Sequence, residues 1–299
     1  MTNTALASLL IDTDNACGSL TGDIDDAFAI LALVSSKMPI AAICSIFGNT
    51  SAKKSLENTK ALLSLVQSDL LLVPGSSSPW KKSQALHKLI HEQKQSVRYA
   101  ALGPLTNLSF LLRDFGAELS NKVSEVVVIG SNSRTKGNFP PVWPHEFNLT
   151  KDVSATKTVF RSNLNITICP LNIVKRLQFN RQDIGNLPTG VVDFFKKHSN
   201  RWIVRNLLLK GKSQFPVWDL VAAMYLINPE DFAFKKTNVR CSAIGHLSYG
   251  EGSKSVNVLT DFDANKIKQR FFNVVHANLD INREEIITYG SYKPILHSN

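Results

Sequence analysis

The chain has 299 residues, 43% of them hydrophobic and 19% charged, which is typical of a soluble protein with a sizeable core. Its net charge is +10, but Lys and Arg occur as scattered pairs without interleaved aromatic residues, so we expect no nucleic-acid partner. No apolar run is as long as a membrane span, which argues against a membrane partner.

The amino terminus lacks the basic region of a signal peptide, and the four cysteines lack the spacing of a disulfide framework or a zinc site. We therefore expect reduced thiols and a cytoplasmic location.

The first ordered stretch combines a short strand, a polar loop and the start of a helix. Residues 9–11 are apolar and lead into Asp12 and Asp14, which alternation along a strand places on one face. Asp23, Asp25 and Asp26 then precede an apolar helix. Open α/β sheets bind ligands where a strand ends and a helix begins. Carboxylates without His or Cys favour Ca²⁺ or Mg²⁺ over zinc, although a helix-capping Asp23 among solvated acids is the simpler alternative.

The rest of the chain alternates between predicted strands and helices. Strands are predicted at residues 40–46, 70–73, 97–102, 124–129, 166–169, 239–244 and 255–259. Helices are predicted at residues 24–36, 51–66, 83–95, from 105 onward, throughout 190–227, and at 264–279. This order predicts an α/β fold: an open, mostly parallel sheet with helices on both faces, a helical cap region, and a single domain over residues 1–299.

Five motifs in this order resemble the inosine-uridine-preferring nucleoside hydrolase family. They are Asp12-Thr13-Asp14 with Asp25-Asp26; Phe47-Gly48-Asn49-Thr50; residues 101–107, ALGPLTN; Gly137-Asn138 followed by Glu146-Phe147-Asn148; and residues 218–223, WDLVAA. Each motif alone is weak, but five in sequence order are a specific signal.

The resemblance implies hydrolysis of the N-glycosidic bond of ribonucleosides to ribose and free base, in nucleoside catabolism or salvage, with a bound Ca²⁺. The family's metal ligands correspond here to Asp14, Asp26, the carbonyl of Thr106, and Asp219. Asp14 would also act as general base on the metal-bound water. The resemblance further implies a homodimer or homotetramer.

The remaining site residues implied by the resemblance surround the ribose. Those expected to bind its hydroxyl groups are Asp25, Asn49, Asn138, Glu146 and Asn148, with Asp12 orienting its neighbours. Breaking the bond leaves positive charge on the sugar, and oxygen atoms around the ring would stabilise that oxocarbenium-like transition state. Simpler structural alternatives stay open for several residues: turn residues at Asn49 and Asn138, helix caps at Glu146 and Asn148, and a helix-terminal charge at Asp219.

Three departures from the family concern the leaving base and the lid. Trp218 stands where a proton-donating His precedes the last metal-binding Asp, so Trp218 either contacts the base or packs in the core. The loop at residues 15–23 is longer than usual, and an alternative alignment puts Asp23 in the place of Asp25. The segment between residues 73 and 101 is shorter and lacks the flexible stretch that closes over substrate.

Another residue must therefore activate the leaving base. His145, beside Glu146, is the first candidate, and His87 or His91 are further ones. The long loop at residues 15–23 is a possible replacement lid. The other possibility is a substrate whose base leaves without protonation. The base itself is left open among purine, pyrimidine, modified base and nicotinamide.

Two other functions compete with the hydrolase prediction. A nucleoside- or riboside-binding protein of the same fold would explain Trp218, whereas the retained Asp14, Asp26 and Asp219 favour catalysis. A haloacid-dehalogenase-like phosphatase also begins with Asp-x-Asp after a strand. That class needs Thr or Val at residue 16, where Ala16 stands, and acids after the strand ending at Ile129, where Gly-Ser-Asn follows.

Overall fold

A computed structural model describes residues 7–19, 22–132 and 146–279 of the chain. Its strands, in chain order, are β1 (Leu9–Thr13), β2 (Ile40–Ser45), β3 (Leu72–Val73), β4 (Val97–Ala101), β5 (Val123–Ile129), β6 (Ile166–Cys169), β7 (Gln178–Phe179), β8 (Phe215–Pro216), β9 (Phe232–Cys241), β10 (Leu247–Tyr249) and β11 (Lys254–Phe262). Nine of them form one sheet in the order β10-β9-β11-β6-β5-β4-β1-β2-β3. The run from β6 to β3 is parallel, β11 is parallel to β6, and β9 is antiparallel to both of its neighbours.

The helices pack on both faces of this sheet. They are α1 (Asp25–Ser35), α2 (Ala52–Leu65), α3 (Gln84–Glu92), α4 (Thr106–Phe115), α5 (Leu119–Lys122), α6 (Phe147–Lys151), α7 (Val153–Phe160), α8 (Leu171–Val174), α9 (Arg181–Gly185), α10 (Thr189–Lys210), α11 (Trp218–Ile227) and α12 (Ala264–Asn278). No helix in the described segments has the length and apolar character needed to cross a membrane.

Alternation along the central strands divides the buried side chains between two cores. Leu9 and Ile11 of β1 join one core, whereas Leu10, between them, joins the other. A strand buried on both faces needs the continuous apolar run that β1 has. The first core is centred on Phe28 of α1, whose ring lies within 4.5–6.3 Å of the rings of Phe179, Phe195, Phe215 and Phe271.

The register of β1 positions the acids that follow it. Asp12 is paired with Cys44 of β2 on one side and with Ala101 of β4 on the other. All three strands run in the same direction, so their carboxyl ends meet at one edge of the sheet. Local sequence fixes the helix that follows β2, because the Ser51 hydroxyl accepts the Lys54 N–H and begins α2 where the sequence predicted it.

The observed fold confirms the predicted α/β class and differs from the prediction mainly after residue 170. The run predicted as helical at 190–227 contains the short strand β8, which pairs antiparallel with β7 and separates α10 from α11. The strand predicted at 239–244 is the longer β9, Phe232–Cys241. Its outward positions carry charged and polar residues, which hide the strand from a search for apolar runs.

Candidate active site

Asp12 lies in β1 and is fully engaged by two donors from neighbouring elements. The Tyr99 hydroxyl donates to its Oδ2 at 2.7 Å, and the Asn107 side-chain amide donates to its Oδ1 at 2.7 Å. Asn107 is itself fixed, because its Oδ1 accepts the N–H of Ser76 at 2.8 Å. With both oxygens occupied, Asp12 is suited to orienting its surroundings and not to contacting a ligand.

Asp14 follows the end of β1 and is held on one side only. The N–H of Asn49 donates to its Oδ2 at 2.6 Å, whereas its Oδ1 is buried without a hydrogen-bond partner among the described residues. Gly48 makes this arrangement possible, because a Cβ there would lie 1.9 Å from Oδ2 of Asp14. Gly103 also lies against Asp14, with a hypothetical Cβ 3.2 Å from its Cγ. The glycines of two sequence motifs thus make room for one carboxylate.

Three more carboxylates gather at the start of α1. Ligand atoms of Asp23, Asp25 and Asp26 all lie within 4.8 Å of one another, a grouping that can hold a metal ion. The Thr13 hydroxyl donates to Oδ1 of Asp26, and the Asn49 amide donates to both oxygens of Asp23 at 3.3 and 3.4 Å. Oδ1 of Asp25 is buried and has no hydrogen-bond partner among the described residues.

Asp219 joins this group from the other end of the chain. It lies in the first turn of α11, is 4% exposed, and belongs to a helix that packs against α1. Burial raises the pKa of Asp219 well above its usual range, and the charges of Asp25 and Asp26 raise it further. The carboxyl end of β1 and the amino ends of α1 and α11 therefore converge on one buried acidic site.

The positive side chains of the described residues do not balance the negative charges of these carboxylates. Burial, followed by the charge of Asp23, raises the pKa of Asp14 to about 7. Burial and the charge of Asp26 raise the pKa of Asp25 to about 7 as well. Burial also raises the pKa of Asp26 strongly. A divalent cation would offset this cost, and the unpartnered Oδ1 atoms of Asp14 and Asp25 would supply oxygen ligands, so the residues present fit a hard metal ion.

The structure favours a capping role for Glu146 and a structural one for the Asn148 amide nitrogen. Glu146 is the N-cap of α6 and accepts the N–H groups of Asn148 and Leu149 at 3.0 and 2.7 Å. Burial raises the pKa of Glu146 to about 7. The Asn148 amide donates to the carbonyl of Leu102 at 2.9 Å. Thr106 begins α4, and its hydroxyl donates to Asp152 at 2.7 Å.

The structure describes two of the three histidines that the sequence offered for activating the leaving base. His145 lies outside the described residues, as does the ribose-binding candidate Asn138. His87 and His91 are on α3 and stack near Phe115, at the last residue of α4. Asn107 of α4 contacts Asp12, and Phe115 lies eight residues further along that helix, roughly 12 Å at 1.5 Å per residue, so the two histidines stack at the end of α4 remote from that contact.

Trp218 is half-buried at the first position of α11, directly before Asp219. Its ring packs edge-to-face with Trp202 of α10 at 6.4 Å between centroids and also contacts the apolar core. Trp218 therefore packs against the core, as one of the two interpretations from the sequence predicted, and its contact with the leaving base stays a prediction.

Three residues of the site escaped the sequence analysis as individuals. Asn107 belongs to a quoted motif, but nothing in its spacing points to Asp12. Tyr99 could have been noticed from its position within the apolar run of β4, because a buried hydroxyl needs a hydrogen-bond partner. Burial and the charge of Asp25 raise the pKa of Asp23, and the positive charge of Arg205 of α10 opposes that rise in part; Arg205 lies too far along the chain for any local pattern to connect it.

Comparison with known proteins identifies the family of the chain. Residues 9–269 match a family model described as inosine-uridine preferring nucleoside hydrolase. The chain is 26% identical over 288 residues to the non-specific ribonucleoside hydrolase RihC of Salmonella typhi, an alignment that covers 83% of this chain and 87% of the relative. It is 27% identical over 293 residues to uridine nucleosidase 1 of Arabidopsis thaliana, covering 83% of each protein.

Solved structures of low sequence identity share the architecture. A plant nucleoside hydrolase, PpNRh1, superposes with a TM-score of 0.78 at 17% identity, covering 91% of this chain and 99% of that one. A purine-preferring ribonucleoside hydrolase from Gardnerella vaginalis superposes with a TM-score of 0.78 at 17% identity, covering 92% and 99%. These likenesses support the fold.

Proposed function

The chain belongs to the inosine-uridine preferring nucleoside hydrolase family, and from this premise we propose a Ca²⁺-dependent mechanism that uses the buried acids described above. It is a hydrolase of N-glycosidic bonds that converts ribonucleosides to ribose and free base. The phosphatase alternative is set aside by this membership. The observation that carries the proposed mechanism is the buried Oδ1 of Asp14, which has no hydrogen-bond partner among the described residues.

The proposed metal ligands are Asp14, Asp26, the carbonyl of Thr106, and Asp219. Asp23 is an additional candidate, because its carboxylate groups with those of Asp25 and Asp26 within 4.8 Å. When bound, a divalent cation supplies a Lewis acid that makes the attacking water more acidic and fixes the ribose hydroxyl groups. All of these donors are oxygens, which favours a hard cation over zinc, and the family resemblance makes Ca²⁺ the hard cation that we propose.

The proposed chemical step is carried by Asp14. Its carboxylate takes a proton from the attacking water, and the N–H of Asn49 fixes its orientation by donating to Oδ2 at 2.6 Å. Asp25 and Asn49 would bind the ribose, together with Asn138, Glu146 and Asn148. For Asn148, Oδ1 is the atom that we propose contacts the ribose, because Nδ2 donates to two main-chain carbonyls of the described residues. Negative charge around the ribose stabilises the cationic transition state more than the neutral substrate.

A sugar-release assay tests this mechanism. We would measure reducing sugar from a panel of ribonucleosides with Ca²⁺, after chelation, and with Asp14→Asn. Asp193→Asn is the matched control, because Asp193 is exposed on α10. Loss of a general base costs about 10²- to 10⁴-fold, so we expect that loss in kcat for Asp14→Asn and none for the control. Equal activity of the two variants, or full activity after chelation, would contradict the proposal.

Trp218, in the place of the usual His, favours one second candidate function: a riboside-binding protein with little turnover. Calorimetry separates the two candidates, since binding of a nucleoside without sugar release would establish the second. The predictions of one domain, a homodimer or homotetramer and a cytoplasmic location belong to the proposal. The nine-stranded sheet, which uses strands from Leu9 to Phe262, supports the first of them.

A further inference from the structure

A small basic cavity lies between the loop after Asp14 and α10, and the proposed mechanism does not use it. Its volume is about 110 Å³, and it is lined by Gly18, Ser19, Lys197, His198 and Arg201. Ligand pockets for whole drug-sized molecules usually measure about 300–1,000 Å³, so this cavity fits one small group and not a nucleobase with its sugar.

The cavity is built by a close approach between the loop after Asp14 and α10. Gly18 has φ +86°, and a Cβ there would lie 3.0 and 3.1 Å from Cε1 and Nδ1 of His198. A glycine therefore permits the contact. The His198 ring is held from the other side by Phe194, at 4.5 Å between centroids.

Positive charge is concentrated in the cavity, and no acid of the described segments pairs with it. Lys197 and Arg201 are four residues apart on α10, where like charges repel and destabilise a helix. Neither forms an ion pair with an acid of the described segments. Burial lowers the pKa of His198, and the charges of Lys197 and Arg201 lower it further. Among the described residues, Lys197 and Arg201 therefore have no acidic ion-pair partner.

We propose that this cavity binds a phosphate group. Arg201, Lys197, His198 and Ser19 all carry hydrogen-bond donors and line one cavity of about 110 Å³, which suits the three acceptor oxygens of a phosphate better than the two of a carboxylate. Arg in particular matches phosphate by paired hydrogen bonds.

The cavity is connected to the ribonucleoside site through the chain, because Gly18 and Ser19 follow Asp14 by four and five residues and precede Asp23. Asn15 anchors the first part of this loop, because its carbonyl accepts the Asn58 amide at 2.9 Å. Along α10, Arg205 lies one turn beyond Arg201 and acts electrostatically on Asp23. The phosphate group is therefore either free phosphate or one carried by a nucleotide that also occupies the acidic site.

Calorimetry with inorganic phosphate tests the site on the intact, Ca²⁺-loaded protein. The test variant is Lys197→Gln with Arg201→Gln, and both side chains are exposed on α10, so the fold is retained. The control is Lys196→Gln with Lys212→Gln, which removes the same charge from exposed positions that do not line the cavity. We expect the Kd for phosphate to rise at least tenfold in the test variant and less than twofold in the control. Absence of binding, or an equal loss in both variants, overturns the proposal.

A second arm identifies the source of the phosphate. If a nucleotide carries it, a ribonucleoside 5′-monophosphate binds more tightly than its parent nucleoside, and the test variant loses that advantage. If the source is free phosphate, the two bind alike and inorganic phosphate binds alongside either. The calorimetric result does not depend on hydrolysis, because Asp14→Asn is expected to keep phosphate binding even where sugar release is lost.

Discussion

Oδ2 of Asp14 accepts the N–H of Asn49 at 2.6 Å, while a Cβ on Gly48 would lie 1.9 Å from that same oxygen. The turn after β2 thus fixes the proposed general base by a backbone donor and leaves no space for a side chain at the preceding residue. The Gly-Asn pair is needed for close approach, which is a stronger requirement than turn geometry.

Replacing Gly48 by Ala should therefore displace Asp14. We expect kcat to fall by at least 100-fold with a smaller change in stability, measured by sugar release and by denaturant unfolding. Gly185→Ala is the control, because nothing lies within 4 Å of a Cβ at Gly185. A Gly48→Ala enzyme as active as the Gly185→Ala enzyme would show that the Asp14 position tolerates displacement.

Tyr99→Phe tests how much the hydrogen bond between Tyr99 and Asp12 stabilises the fold. The substitution removes the donor at 2.7 Å from Oδ2 of Asp12 in a buried environment, so we expect the free energy of unfolding to fall by about 1–3 kcal/mol. Combining it with Asp12→Asn gives a double-mutant cycle, in which the two losses should not add. Strict additivity of the losses would mean that the hydroxyl acts independently of Asp12.

Stability of the metal-free protein should depend on pH in the opposite sense to that of most carboxylates. Burial raises the pKa of Asp14 and Asp25 from 3.8 to about 7, so ionisation of these groups opposes folding. Below about pH 4 these groups are protonated in the folded and the unfolded state, so their full contribution to stability is present. That contribution is lost as the pH rises through about 7, because their ionisation favours the unfolded state.

Thermal unfolding in a chelator at pH 5 and pH 8 checks this dependence. We expect the Tm to fall between the two values in chelator and Ca²⁺ to restore it at pH 8, because the ion offsets the repulsion. The same measurements with Asp25→Asn should show a smaller fall. A Tm that is independent of both pH and Ca²⁺ would contradict the proposed ligand set.

Trp218→His tests whether protonation of the leaving base limits turnover. General acid catalysis contributes about 10²- to 10⁴-fold, so a correctly placed imidazole should raise kcat at least tenfold for nucleosides with poorly leaving bases. Trp218→Phe is the control, because it also removes the edge-to-face contact with Trp202 without adding an acid. If His and Phe at this position give equal rates, base departure is not limited by the missing proton donor.

The sequence was sufficient for elements whose signal is local. The strand predicted at residues 166–169 is β6, and Ser51 caps α2 as its position indicated. Pairing between segments that are distant in the chain could not be predicted in the same way. The antiparallel strands β7 and β8 join residues 178–179 to 215–216. Strands of two residues carry too little periodicity to be recognised from the sequence.

Within the site, the acids themselves were predictable, but their partners were not. Asp23, Asp25 and Asp26 adjoin one another in sequence, so their grouping follows from the start of a helix. The contact of Tyr99 with Asp12 depends on the register between β1 and β4, which pairs Asp12 with Ala101 and is set by the whole sheet. The contact between Gly18 and His198 depends on how α10 packs, and no local pattern encodes it.

The loop between Asp14 and Asp23 is fastened at both ends to the β2–α2 unit. At one end Asn58 and Thr59 hold Asn15, and at the other the Asn49 amide holds Asp23. Gly18 and Gly22 have no room for a side chain, but these anchors allow other positions of the loop to change without moving the acids. Ligand preference can therefore diverge through those positions while the hydrolytic residues stay under their own selection.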